Sequence, residues 1–368
     1  MNPTSQLHAM GQSLWLDNIS RPLLTSGTLA RYIAEFSITG LTSNPTIFEQ
    51  AIRSGDAYDA AIRRKTIEGN SGEALFFELA IEDLTRAADL FRPVHDATDG
   101  VDGWASLEIS PLLADDTIGS IQAAARLHAR AQRPNLFIKI PGTAAGVAAI
   151  EESIFAGVPI NVTLLFSSQQ YITAALAYMR GIERRVAAGL DPVVASVASL
   201  FVSRWDVAVK DRVSEAFRNR LGIAIAMRTY KAYRDLLASS RWHKLAAAGA
   251  RPQRLLWAST GTKDPAASAT LYVEALAAPD TINTIPEKTL QAFAAHGKAT
   301  SVLPLDEGFA EATIAEFIRE GIDDEALAAD LQREGAEAFA KSWSDLMYRI
   351  ALKSAALTKG DGGRAGAG

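Results

Sequence analysis

Cysteine is absent from this chain of 368 residues. That excludes disulfides, thiolate metal sites and a cysteine nucleophile. Histidine is scarce: His8, His95, His128, His243 and His296 are scattered, and none falls at the end of an expected strand. A zinc centre needs convergent imidazoles, so no metal is expected. No run of about 18 apolar residues occurs, so no membrane-spanning helix is expected. Met1 to Gln12 carries neither an early cationic cluster nor the apolar stretch of a signal peptide. The net charge is only −5, with Lys and Arg dispersed. Nucleic acid and acidic membranes are therefore not expected as partners. These absences together lead us to expect a cytoplasmic protein.

What remains is rich in apolar residues, at 48%, enough for a large core. Short apolar runs alternate with longer helical patterns, the signature of repeated β–α units. Strands are predicted near Ser13–Leu16, Ser37–Leu41, Trp104–Ile109, Leu136–Ile140, Pro159–Leu164, Val194–Phe201, Arg254–Ala258 and Thr281–Thr284. Helices are predicted over Asp115–Gln132, Thr143–Phe155, Ser168–Ala188 and Asp264–Leu276, with Ser167, Ser168 and Asp115, Asp116 supplying N-cap oxygens. Eight alternations over roughly 290 residues predict an α/β fold, a (β/α)₈ barrel. Residues 45–103 should add three helices and residues 205–250 two. From Glu325 to Leu357, Leu327, Leu331, Phe339, Trp343, Leu346, Met347 and Ile350 recur at helical spacing. They predict a long helix across the outside or mouth of the barrel, or else a dimer face. Residues 1–358 are thus expected to form one barrel domain with helical insertions, and the Gly-rich residues 359–368 a disordered tail.

One residue breaks the apolar rule. Lys139 interrupts Leu136-Phe137-Ile138-Lys139-Ile140 just before Pro141-Gly142-Thr143. Lysine is almost never fully buried without a partner. Burial favours its neutral amine, which attacks a ketone to form a Schiff base. The plainer reading is a lysine at the strand mouth whose head reaches water.

Catalysis in such barrels gathers at the carboxyl ends of the strands. There the chain offers Asp17-Asn18, Thr42-Ser43-Asn44, Glu108, Lys139, Asn161 with Thr163, Ser199 with Arg204, and Ser259 with Lys263. Asp17 or Glu108 could take a sugar hydroxyl's proton, and two carboxylates near one cation usually differ in pKa. Asn44 and Asn161 could bind an intermediate's hydroxyls, and Thr163 could hold a water. Arg204, with Ser199 and Ser259, suits a phosphate. Each of these residues also has a plainer reading. Asp17 could cap the chain after its strand, and Asn44-Pro45 could begin a turn. Glu108 could sit in a structural ion pair, and Arg204 could lie on Trp205 as a cation–π pair.

The joint order of these residues resembles the transaldolases over most of residues 13–290. Gly40-Leu41-Thr42-Ser43-Asn44-Pro45-Thr46-Ile47-Phe48 is similar to one signature of that family. Phe137-Ile138-Lys139-Ile140-Pro141 through Asn161-Val162-Thr163-Leu164-Leu165-Phe166-Ser167 is similar to the other. The length and helical additions resemble a longer bacterial branch. The resemblance implies a metal-free class I aldolase barrel that needs no cofactor and acts on sugar phosphates, as monomer or homodimer. A dihydroxyacetone unit would move from sedoheptulose 7-phosphate to glyceraldehyde 3-phosphate, giving erythrose 4-phosphate and fructose 6-phosphate, a step of the pentose phosphate pathway.

Carried over by motif, Lys139 would form the Schiff base and Asp17 would act on the C4 hydroxyl. Glu108 and Thr163 would hold the catalytic water, Asn44 and Asn161 the intermediate, and Ser199 and Arg204 the phosphate. The chain departs from the pattern at Gly261, where many members carry a second phosphate-binding arginine; Lys263 is the candidate replacement. The rivals are a fructose-6-phosphate aldolase type of lyase and a non-catalytic sugar-phosphate binder on the same barrel.

Overall fold

The eight short apolar runs are the strands of a closed parallel barrel, each paired with the next in sequence order and the last with the first. They are β1 (Gln12–Asp17), β2 (Ile38–Thr42), β3 (Trp104–Glu108), β4 (Leu136–Pro141), β5 (Ile160–Leu165), β6 (Ser196–Phe201), β7 (Arg254–Ala258) and β8 (Thr281–Ile285). The structure is a computed structural model that describes residues 2–299, 302–304 and 307–359. Its helices are α1 (Pro3–Ala9), α2 (Arg21–Thr25), α3 (Thr28–Phe36), α4 (Pro45–Arg53), α5 (Asp59–Ile67), α6 (Gly72–Ala97), α7 (Thr117–Ala131) and α8 (Ala144–Phe155). They continue as α9 (Ser168–Ala187), α10 (Ser203–Val209), α11 (Leu221–Ala238), α12 (Ser240–Ala247), α13 (Leu271–Ala275), α14 (Glu287–His296), α15 (Glu307–Arg319) and α16 (Asp324–Lys359). This is the (β/α)₈ barrel that the alternation predicts.

Side chains alternate along a strand, so each strand feeds two cores. Leu14, Leu16, Ile38, Leu41, Leu107, Ile138, Ile140, Ile160, Val162 and Leu200 face outward into the apolar layer beneath the helices. Trp15, Trp104, Phe137, Val197, Leu256 and Ile282 belong to a separate cluster inside the barrel. There Phe137 stacks on Trp104 at 4.1 Å and meets Trp15 at 6.0 Å. Trp15 also donates to Asp102 at 2.7 Å. Gly40 on β2 makes room for that indole, because a Cβ there would stand 2.7 Å from it and 2.7 Å from the Trp104 carbonyl. The lumen is therefore plugged by aromatics at its amino end. One inward position further along, polar residues take over.

Two expectations need correction. The predicted helix over Asp264–Leu276 is reduced to α13, because Asp264 instead caps a turn by accepting the Ala266 N–H at 2.9 Å. The Ser268 and Thr270 hydroxyls then bond one another at 2.9 Å, offering this segment a local alternative to helix. Residues 205–250 hold more than two helices: most of α10, all of α11 and α12, and a 3₁₀ turn at Glu215–Phe217. Residues 45–103 hold the three expected.

The C-terminal stripe forms α16, and its apolar face is used within the chain. Leu331, Phe339, Trp343, Leu346 and Ile350 are buried. Trp343 packs edge-on against Phe76 at 4.9 Å and donates to Glu73 at 3.1 Å. Upstream, Gln332 donates to the Gly142 and Leu164 carbonyls at 3.0 and 2.9 Å. Thr46 donates to Ser342 at 2.8 Å. The helix thus runs from the ends of β4 and β5 to α4 and α6, spanning the mouth. Of the expected tail 359–368, Lys359 ends α16 and the rest lies outside the described residues.

Candidate active site

Register and side-chain alternation bring the polar end groups together. Glu108 pairs with Lys139 across β3 and β4, Lys139 with Asn161 across β4 and β5, and Asp17 with Thr42 across β1 and β2. A cavity of about 370 Å³ opens above them at the carboxyl end of the barrel. Asp17, Thr42, Asn44, Lys139, Thr163, Ser199, Arg204, Ser259, Lys263 and Thr284 all line it. Another cavity, of about 380 Å³, lies among His95, Asp99 and Arg251, where the ions pair with each other. The uncommitted chemistry is at the mouth.

Lys139 is 5% exposed and donates to the Ser43 carbonyl at 2.9 Å and to Glu108 at 3.1 Å. The structural ion pair read for Glu108 therefore exists, and its partner is the candidate nucleophile. Burial pushes the Glu108 carboxyl up; Lys139 opposes that, and the Asp17 charge adds to it. Burial also raises Asp17, against Lys139, the Thr42 hydroxyl and Lys263. Thr42 donates to Asp17 at 3.0 Å and shares a hydrogen bond with Thr284 at 2.6 Å. Asp17 is thus held by side chains, and does not act as a cap.

The Thr163 hydroxyl is buried and has no partner among the described residues. An unsatisfied buried hydroxyl lining a polar cavity is suited to hold a water or a substrate hydroxyl. Asn161 is fully buried, donates to Ser106 at 3.2 Å and accepts from Ser199 at 2.8 Å. It lies behind the lining and orients Ser199. The Asn44 side-chain Oδ1 caps α4 by accepting the Ile47 N–H at 3.0 Å, with Pro45 at the first helical position. The turn reading of Asn44-Pro45 is therefore correct as well, and the amide nitrogen remains for the cavity. Thr143 and Ser167 cap α8 and α9 in the same way, so part of the polar rim is helix capping.

The cations gather on one side. Arg204 lies over the Phe201 and Phe339 rings, at 5.3 and 5.8 Å. The neighbour Trp205, suggested as its π partner, turns away and donates to the Phe166 carbonyl at 2.9 Å. Ser259 bonds Ser203 at 2.9 Å from a left-handed backbone, φ +56°. A side chain at position 261 would begin 3.9 Å from the Lys263 ammonium. Lys263 therefore stands beside position 261, where Pro286 and Thr289 lie closer still, at 3.1 and 3.6 Å from such a Cβ. Sequence reasoning missed the Ser43 carbonyl as the lysine's acceptor, Thr284, and the α16 residue Phe339. A threonine ending the eighth strand was available as a signal for Thr284. Phe339 was visible only as part of an apolar stripe. Among the described residues no cluster of His, Asp or Glu side chains converges as a metal site.

The profile of the transaldolase/fructose-6-phosphate aldolase family matches residues 14–350. A transaldolase of Thermobifida fusca (strain YX) is 44% identical over 368 residues, covering 97% of this chain and 100% of that protein. One from Parafrankia sp. (strain EAN1pec) is 44% identical, over 95% of this chain and 97% of its own length. A third, from Thiobacillus denitrificans, is 43% identical over 95% of this chain and 100% of its own.

Proposed function

The chain belongs to the transaldolase/fructose-6-phosphate aldolase family, and on that premise we infer that it is a transaldolase working through a Schiff base on Lys139. The observation that carries the mechanism is the buried Lys139 amine on the cavity wall, 3.1 Å from Glu108 with Asp17 close by. Glu108 is the nearest base for the ammonium proton. The freed amine attacks the donor's C2 carbonyl, water leaves, and a cationic iminium remains. The iminium draws electrons from the C3–C4 bond. Asp17 takes the C4 hydroxyl proton as that bond breaks, an aldose phosphate departs, and the electron pair stays on the bound three-carbon enamine.

The enamine carbon then attacks the aldehyde of an incoming aldose phosphate, whose oxygen takes the proton back from Asp17. Water held by Glu108 and the free Thr163 hydroxyl hydrolyses the iminium and restores Lys139. Asn44 is suited to the intermediate's hydroxyls, and Ser199, tied to Asn161, to the same group. Arg204, Ser259 and Lys263 supply the phosphate site, with Lys263 as its second cation. Sedoheptulose 7-phosphate and fructose 6-phosphate are the donors this reading names, with glyceraldehyde 3-phosphate and erythrose 4-phosphate as acceptors.

Borohydride reduction in the presence of fructose 6-phosphate, followed by intact mass and peptide mapping, tests the reading. It expects a sugar-derived adduct on Lys139 and turnover that requires an acceptor aldose phosphate. Release of free dihydroxyacetone at the full rate without acceptor would mean a lyase. Binding without any adduct in the folded protein would mean a barrel that only holds sugars.

A further inference from the structure

Arg204 is oriented without salt. Among the described residues no ion pair or hydrogen bond fixes its guanidinium, and Glu334 acts on it only through space. Its neighbours are instead the faces of Phe201 and Phe339. Next to it stands Gly335, where a Cβ would meet Leu164 at 3.0 Å and the Arg204 Nη1 at 3.4 Å. Gln332, Gly335 and Phe339 follow one another at spacings of three and four, so they share one face of α16. Gln332 pins that face to the barrel through the Gly142 and Leu164 carbonyls. A carboxylate partner would orient an arginine but would also neutralise it and occupy its donors. An aromatic face orients the plane and leaves all five N–H groups for a ligand.

We propose that Phe339, with Gly335 one turn before it, is a positioning residue that aims Arg204 at the substrate phosphate; this rests on Arg204 being a phosphate ligand. The C-terminal helix is thus part of the specificity apparatus of the site. It selects for substrates that carry a phosphate by presenting an uncompensated guanidinium.

The test compares Phe339→Leu, Phe339→Tyr and Arg204→Ala, alone and as the double variant Arg204→Ala/Phe339→Leu. The readouts are the fructose 6-phosphate KM, kcat, and the inhibition constant of inorganic phosphate, with circular dichroism to confirm the fold. Phe339→Leu should raise KM and the phosphate constant by roughly 3- to 10-fold, between the worth of an exposed and of a fully desolvated cation–π contact, with kcat nearly unchanged. Phe339→Tyr, which keeps the face, should restore both values. In the Arg204→Ala background Phe339→Leu should add nothing further. Gly335→Ala, which crowds the guanidinium, should shift the same two values in the same direction. If Arg204→Ala raises both values while Phe339→Leu leaves them alone, or acts undiminished without the arginine, the positioning role is wrong. If Arg204→Ala itself changes neither, the phosphate reading of Arg204 fails and this proposal falls with it.

Discussion

At the residue scale the proposed site turns on one amine and two carboxylates, and substitution separates the roles proposed for them. Lys139→Ala should abolish both turnover and borohydride trapping while the barrel persists, read by activity, mass and circular dichroism. Glu108→Gln should lower turnover by about 10²- to 10⁴-fold, the usual worth of a positioned acid–base group, and slow borohydride trapping without abolishing it on long incubation. Trapping at the full rate in that variant would mean that another group takes the ammonium proton. Burial raises both Asp17 and Glu108. Activity that needs an ionised carboxylate should therefore decline, on acidification, at a pH above the ordinary carboxylate range. A pH–rate profile measures this, and Asp17→Asn should remove or displace that limb.

Lys139 was legible in the sequence because a lysine inside an apolar run contradicts burial statistics. Asp17, Glu108 and Thr163 were legible because each stands toward the carboxyl end of a predicted strand, on the rim where such a barrel gathers its polar groups. The carbonyl of Ser43 was not legible, since backbone groups carry no sequence signal. Nor was the separation of Asn161 from the cavity lining, which depends on which partners its amide meets.

Among the elements, β2 and α16 carry the tightest demands. Gly40→Ala would drive a methyl group into the Trp15 indole and the Trp104 carbonyl. It should cost about 1–3 kcal/mol of unfolding free energy by overpacking, measurable by denaturant titration. An unaltered midpoint would mean that the lumen aromatics can shift freely. The strands themselves were readable to within a residue or two because a buried parallel strand is a short apolar run between turn residues. The helix expected over Asp264–Leu276 was not, because its apolar spacing competed with hydroxyl and carboxylate side chains that favour turns. For α16 the apolar stripe announced the helix and its buried face. It did not announce the destination, since a stripe that packs on its own barrel and one that packs on a second chain look alike.

Across the whole molecule, buried carboxylates away from the site make stability depend on pH. Asp206 accepts the Leu221 and Gly222 N–H groups at 3.0 and 3.2 Å and the Tyr272 hydroxyl at 2.8 Å. Burial nevertheless pushes its carboxyl up to about 6. Asp83, which pairs with Arg21 at 3.0 Å, is likewise pushed up to about 6 by burial. An acid whose folded pKa lies above its unfolded value binds the proton more tightly when folded. Its contribution to stability is then greatest below the unfolded pKa. It declines as the pH rises from about 4 to about 6, and is level beyond that.

For Asp206 the change amounts to about 3 kcal/mol across that window. Urea unfolding at a series of pH values should therefore show the stability of the native chain, relative to Asp206→Asn, falling as pH rises to about 6. A difference that grows with pH would mean that the hydrogen bonds to the ionised form outweigh its burial.

The route of α16 also gives the molecule an order in time. The barrel closes at Ile285, the end of β8, while Phe339 lies 54 positions later (339 − 285). At roughly 5–20 residues per second those positions take on the order of 3–11 s to add during synthesis. For an interval of that length, once β8 has emerged, a growing chain can hold Lys139 inside a closed barrel whose mouth still lacks its last wall. A ribosome that stalls after β8 has emerged but before α16 has would leave a barrel with Lys139 in place and Phe339 absent from its mouth. On the proposed role of Phe339, competence for the sugar phosphate arrives last, with the docking of a helix translated after the eight strands.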